Sequence, residues 1–226
     1  MIRLHHCHQT RSMRTLWLLN ELEVDFELAV YPFDKTLRSD AYLTLNPVGR
    51  VPALEIDGEV MFETGAITEY LCERFPERGL GRMPGDMDRM DWLVWVHFAE
   101  TISQHSAALT QQHIALYDDS MRSPIVMKLE AKRLEKCYAA LEARLSPPVE
   151  ARDYILTSGF SAADISVGQA IYMARHFAQI EPFEQVSAWY QRITERLAFK
   201  ASLPPEDAVG LYEKPFYPAW DQPAGS

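Results

Sequence analysis

Basic residues are scarce in this chain. Its 22 Lys and Arg stand against 32 Asp and Glu, for a net charge of −10 with histidine neutral. That balance argues against nucleic acid as a natural ligand, because phosphate binding relies on neutralisation by Lys and Arg. It disfavours an anionic membrane surface for the same reason. Cysteine is rarer still. Cys7, Cys72 and Cys137 are odd in number and far apart, so they spell neither a disulfide framework nor a metal-ligand pattern. A reduced, cytoplasmic compartment is the simplest expectation. Long apolar runs are also missing, and none approaches the roughly 20 residues of a membrane-spanning helix. The opening Met1-Ile2-Arg3-Leu4-His5-His6 lacks the apolar centre of a signal peptide and reads as a strand. What remains is a 226-residue chain, 47% hydrophobic, with ample material for a core and room for one large or two modest domains.

The first 80 residues alternate strand and helix signals. Ile2–His6 is β-like. Ser12–Leu22 carries Met13, Leu16, Trp17 and Leu19 at helical steps, and 26–31 reads as a second strand. A short helix is expected within 34–45, and a longer one over 64–75. Residues 76–85 then hold three glycines and two prolines, the best linker candidate. Beyond it the signals turn helical. A long helix is expected over 86–117 with Trp92, Trp95, Val96 and Ala99 on one stripe, read with Phe98 as core or dimer surface. Another is expected over Pro124–Leu145, stopped by Ser146, Pro147 and Pro148, with two more over 162–177 and 183–197. The tail after Leu203, with Tyr212, Phe216, Tyr217 and Trp220, is expected to lie as coil on the helical half. Ser161 and Asp164, flanked by Phe160 and Ile165, spell a capping box with a hydrophobic staple, a stability device that gives Asp164 no part in chemistry.

Residues 46–64 carry the most specific pattern. Pro52 cannot donate to a ladder and belongs at the first residue of a strand or on an edge. Asp57-Gly58 between apolar runs marks a tight hairpin. The second strand ends at Glu63-Thr64, where Ala66, Ile67, Tyr70 and Leu71 begin a helical period. Val51-Pro52 followed by Glu63-Thr64 resembles the glutathione-binding half-site of the cytosolic glutathione S-transferases. The resemblance covers essentially the whole chain. It implies a thioredoxin-like α/β domain over residues 1–80 and an all-α domain over 86–226 with an electrophile pocket. It further implies a cis bond at Pro52, a homodimer, and glutathione as co-substrate in detoxification chemistry. By the same resemblance the backbone at Val51 pairs with the cysteinyl main chain of glutathione, and Glu63 and Thr64 take its γ-glutamyl end. Gln9 and Arg50 complete the expected binding set.

The working residue of that family follows the first strand, where this chain reads Cys7-His8-Gln9-Thr10-Arg11-Ser12-Met13-Arg14. A free thiol titrates near 8.5, so a hydroxyl donor beside the positive end of a helix is needed to favour the thiolate. Thr10-Arg11-Ser12 before Leu16-Trp17-Leu18-Leu19 resembles bacterial members with a Ser-Arg-Ser stretch there. On that match Thr10 is the catalytic hydroxyl and Ser12 the helix cap, although Thr10 can equally be read as the cap. Two alternatives stand beside this reading. Cys7 can be read as the thiol of a glutathione-dependent thiol-disulfide oxidoreductase, and the non-consensus window also allows a non-enzymatic binding protein. No metal is expected: alternation in a strand sends His6 to the face opposite His5 and His8. His97, Gln104, His105, Tyr117 or the tail are candidates for the electrophile wall, and the electrophile itself is left open.

Overall fold

The structure is a computed structural model and describes residues 1–146 and 152–219. The amino-terminal half is a four-stranded sheet in the order β2-β1-β3-β4. Strand β1 (Ile2–His6) runs parallel to β2 (Glu27–Val30) and antiparallel to β3 (Ala53–Ile56), and β4 (Glu59–Phe62) closes the hairpin. Asp57 and Gly58 both adopt positive φ in the tight turn between β3 and β4, as the Asp-Gly pair requires. Helix α1 (Ser12–Leu22) links β1 to β2. A short α2 (Asp40–Leu43) precedes the loop into β3, and α3 (Thr64–Arg74) follows β4. This is the expected thioredoxin-like arrangement.

The second half is helical. It comprises α4 (Arg89–Thr110), α5 (Pro124–Leu145), α6 (Ala162–Ala174), α7 (Glu184–Thr194) and α8 (Leu197–Ala201). Two expectations need correction. The long helix begins later than residue 86, because Gly85 and Asp88 both take positive φ, and it ends in a π turn over Gln111–Ala115. The helix expected over 183–197 is two elements, since Arg196 is extended and breaks the run before α8. The stretch 76–85 is no loose tether. The Leu80 carbonyl accepts from Trp92 Nε1 at 3.0 Å and from Ala162 N at 2.9 Å, and the Arg82 guanidinium is tied to Ser158 Oγ. Pro147, Pro148 and Trp220 lie outside the described residues.

Helix α1 joins the halves. Trp17 is fully buried and meets Phe199 of α8 edge-on at 4.9 Å. Gly168 of α6 lies so close that an added Cβ would sit 2.5 Å from Ile193 Cδ1 and 3.1 Å from the Trp17 ring, so a larger residue there would have to displace its neighbours. Glu21 grips Arg196 through two bonds of 2.6 and 2.7 Å. Trp92 and Trp95 are buried, and Phe98 packs against Trp95, so the aromatic stripe is core. Tyr212 and Tyr217 of the coil tail are buried on the helical half, as expected. The capping box at Ser161 and Asp164 is formed.

Candidate active site

Strand register assembles the site. His5 pairs with Ala53 and Ala53 with Phe62. Carried one residue further, the ladder sets the end of β1, Pro52 and Glu63 side by side at one edge of the sheet. The Val51-Pro52 bond is cis, as expected. The loop before it is braced, because Tyr42 Oη and Asn46 Nδ2 each donate to the Arg50 carbonyl at 2.8 Å. Val51 lies outside the ladder, so its peptide groups are not used in sheet pairing. The Arg50 side chain is exposed, on the same loop.

Glu63 takes φ +75, unusual for a residue with a side chain, and stands exposed as the residue before α3. It forms no side-chain cap, so the first-turn N–H groups of α3 lack a capping oxygen at the positive end of the helix dipole. Thr64 is buried. Its hydroxyl donates to Glu100 Oε1 at 2.7 Å and accepts from Arg14 Nη1 at 3.0 Å. Arg14 is fully buried in α1; it also pairs with Glu100 and donates to Ser103 Oγ at 3.1 Å. Arg11 reaches the other Glu100 oxygen at 2.9 Å. Two guanidiniums thus face one carboxylate, leaving a net positive charge where α1, α3 and α4 meet. Such a charge suits the carboxylates of a peptide.

The loop after β1 is tightly bonded. Thr10 is buried, and its hydroxyl donates to the Cys7 carbonyl at 2.7 Å and lies 2.9 Å from Ser12 Oγ. Gln169 of α6 donates to the Thr10 carbonyl at 3.2 Å, so the helical half holds this loop from behind. Ser12 is the first residue of α1 and does not cap it. Its hydroxyl accepts from Cys7 N at 3.1 Å and contacts His6 Nδ1 at 2.8 Å, while the helix start has no side-chain cap. Gln9, at φ +55, turns its amide oxygen to Tyr212 N at 3.1 Å, tying the loop to the tail.

The geometry does not favour Cys7 as a reactive thiol. The side chain is buried, and burial together with the Asp34 charge pushes the thiol up to about 11. A nucleophilic cysteine needs the opposite shift. Cys72 and Cys137 are buried packing residues, and burial raises both. The alternation expected for the histidines fails at His8, because β1 ends at His6 and the rings of His6 and His8 meet at 5.1 Å. Burial and the neighbouring His8 drive His6 down to about 3, so it is neutral. Among the described residues no group of three His, Cys, Asp or Glu is placed to hold a metal. Of the residues offered for an electrophile wall, His97 pairs with Glu69 and His105 with Glu130, whereas Tyr117 is exposed.

Comparison with known proteins agrees with this architecture. Residues 1–73 match the model of the glutathione S-transferase N-terminal domain, and residues 92–192 match that of the C-terminal domain. The chain belongs to the glutathione S-transferase family. Glutathione S-transferase 3 of Schizosaccharomyces pombe is 26% identical over 88% of this chain and 85% of its own length. A glutathione S-transferase from Xylella fastidiosa superposes with a TM-score of 0.78, at 22% identity, over 89% of this chain and 97% of that one. A sphingomonad glutathione S-transferase solved in complex with glutathione gives 0.72 at 26% identity, over 89% of this chain and 96% of its own.

Sequence reasoning missed Glu100, Ser103, Gln169, Tyr42 and Asn46. Glu100 follows Ala99 in a helix whose apolar stripe reads as core, so nothing marks it as turned toward α1 and α3. Asn46 and Tyr42 act on a carbonyl, a task that leaves no motif.

Proposed function

We propose that this glutathione S-transferase binds glutathione along the edge formed by Val51, Pro52, Glu63 and Thr64, and directs the thiolate to a small apolar electrophile. The peptide groups at Val51 take the cysteinyl main chain, and Glu63 takes the γ-glutamyl ammonium. Thr10 serves the sulfur. Gln9 shapes the floor between loop and tail, and Arg50 lies beside the glycyl carboxylate. The electrophile enters from the helical side. Glu63 carries the reading: its carboxylate has no hydrogen bond or ion pair among the described residues, yet it stands at a strained φ beside an uncapped helix mouth.

Isothermal titration tests this. Glu63→Ala is expected to weaken glutathione about tenfold or more, the value of one charge-assisted bond. A parent protein that gives no heat with millimolar glutathione, or a variant indistinguishable from it, would count against the assignment.

The homodimer is part of the same reading. Val60 on β4, Tyr70 on α3 and Met90 and Val94 on α4 are left exposed on adjoining elements, a surface suited to a second copy. Sedimentation equilibrium returning the mass of one chain, 25.9 kDa, would remove that part. The three cysteines are free and buried, which suits the reducing cytoplasm. No described helix is long and apolar enough to cross a membrane.

A further inference from the structure

Four side chains at the end of β1 and the start of α1 form one unbroken line of hydrogen bonds. Thr10 Oγ1 lies 2.9 Å from Ser12 Oγ, and Ser12 Oγ lies 2.8 Å from His6 Nδ1. The other ring nitrogen of His6, Nε2, lies 3.3 Å from His8 Nδ1. Thr10, Ser12 and His6 are buried and His8 is half-buried, so the line reaches solvent through His8. A serine hydroxyl has one proton and two lone pairs, and one lone pair of Ser12 already accepts from Cys7 N at 3.1 Å. Two arrangements use what is left. In the first, the Ser12 proton goes to His6 Nδ1 and the second lone pair is open to Thr10. In the second, His6 Nδ1–H donates to that lone pair, and the Ser12 proton turns to the Cys7 carbonyl, 3.2 Å away. Burial and the neighbouring His8 keep His6 neutral, and burial lowers His8 as well. At neutral pH each ring therefore holds one N–H and one free lone pair, which is what passing a proton from one nitrogen to the other requires.

We propose that this line, Thr10–Ser12–His6–His8, carries the proton of the glutathione thiol to solvent when the thiolate forms. The inference rests on the reading that Thr10 serves the sulfur. The S–H bond breaks and its proton joins Thr10 Oγ1, whose own proton turns from the Cys7 carbonyl to Ser12 Oγ. The Ser12 proton moves to His6 Nδ1, and the His6 Nε2 proton moves to His8 Nδ1. His8 gives its Nε2 proton to water. The electron pair of the S–H bond stays on sulfur, and each relay group ends with as many protons as it began with. Both rings finish in the other tautomer. Thr10 then donates to the thiolate and Ser12 to the Cys7 carbonyl, which is the second arrangement.

The test is stopped-flow mixing of the full chain with glutathione in lightly buffered solution near neutral pH, with the thiolate read from its ultraviolet absorbance. His8→Ala is expected to slow thiolate formation about tenfold or more while leaving its final amplitude within about twofold. Added imidazole should restore the rate in the variant and hardly alter the parent, a response that a merely structural loss would not give. A variant as fast as the parent overturns the proposal, as does a slowed rate that imidazole leaves unchanged. Should His8→Ala fail to fold, judged by circular dichroism, His8→Gln decides in its place. It keeps a polar partner for His6 without a titratable ring, so an unslowed rate there overturns the proposal too. Failure of the underlying reading looks different. An unmoved pH–rate midpoint in Thr10→Ala means that Thr10 does not serve the sulfur, whereas a moved midpoint with an unslowed His8 variant removes the relay alone.

Discussion

Asp164→Ala is expected to destabilise the protein by about 3–5 kcal/mol, because it leaves three buried donors unpaired at about 1–3 kcal/mol each. Its carboxylate is fully buried. It accepts from Ile155 N, Ser161 N and Trp189 Nε1, each at 2.9 Å. These donors come from the loop before α6, from the start of α6 and from α7, so one side chain joins three segments. Burial lifts the carboxyl to about 6 despite that donor set, which shows how dry the place is. Truncating it removes the only group there that all three donors use. Thermal unfolding should fall by about 10 °C for a chain of this size. Ser161→Ala, which forfeits a cap alone, is expected to cost about 1 kcal/mol. A midpoint for Asp164→Ala within about 2 °C of the parent would show that water or a shifted backbone replaces the carboxylate. The loss also reaches the candidate site: α6 carries Gln169, which holds the Thr10 carbonyl, and a frayed first turn weakens that support.

The elements that read most clearly from sequence are those whose residues act locally. β1, α1 and α5 follow from periodicity and from Pro124 at a helix start, and the hairpin follows from Asp57-Gly58, because the controlling forces lie within a few residues. The capping box is legible for the same reason. Helix ends near glycine are less so. Gly85 and Asp88 delay α4 through backbone conformation rather than through any visible break in the apolar stripe. The candidate site was half legible. Pro52 and Glu63 announce themselves by residue type and position, whereas Glu100 joins the site through contacts across 36 and 86 residues of chain. Ser12 shows the limit from the other side. A serine at a helix start predicts a cap, but His6 and the Cys7 peptide compete for its hydroxyl and win, since both are buried polar groups that need a partner. The histidine faces depart from simple alternation because that rule holds only within a strand, and β1 stops before His8.

Thr10→Ala is expected to carry the largest effect on turnover. The Thr10 proton rests on the Cys7 carbonyl at 2.7 Å, which at first sight removes it from any sulfur. Yet Ser12 Oγ lies 3.2 Å from the same carbonyl and can donate there in its place. With the His6 proton on Nδ1, which then donates to Ser12 Oγ, rotation of the threonine hydroxyl leaves no buried acceptor unpaired, and the Thr10–Ser12 contact of 2.9 Å lets the two exchange roles. A hydroxyl turned to a thiolate at the start of α1 also gains from the helix dipole. Such a charge-assisted bond lowers the glutathione thiol by about one pKa unit or more, since one unit is about 1.4 kcal/mol. For Thr10→Ala, kcat/KM near pH 6.5 should drop about tenfold or more, and the pH–rate midpoint should rise by about one unit. Thr10→Ser should restore both, as serine supplies the same donor. The KM for glutathione should change little, because on the proposed reading Val51, Glu63 and Thr64 hold the peptide independently of its sulfur. An unmoved midpoint in a folded Thr10→Ala would pass the task to the main-chain N–H groups at the start of α1, which need no side chain and which no substitution at position 10 removes.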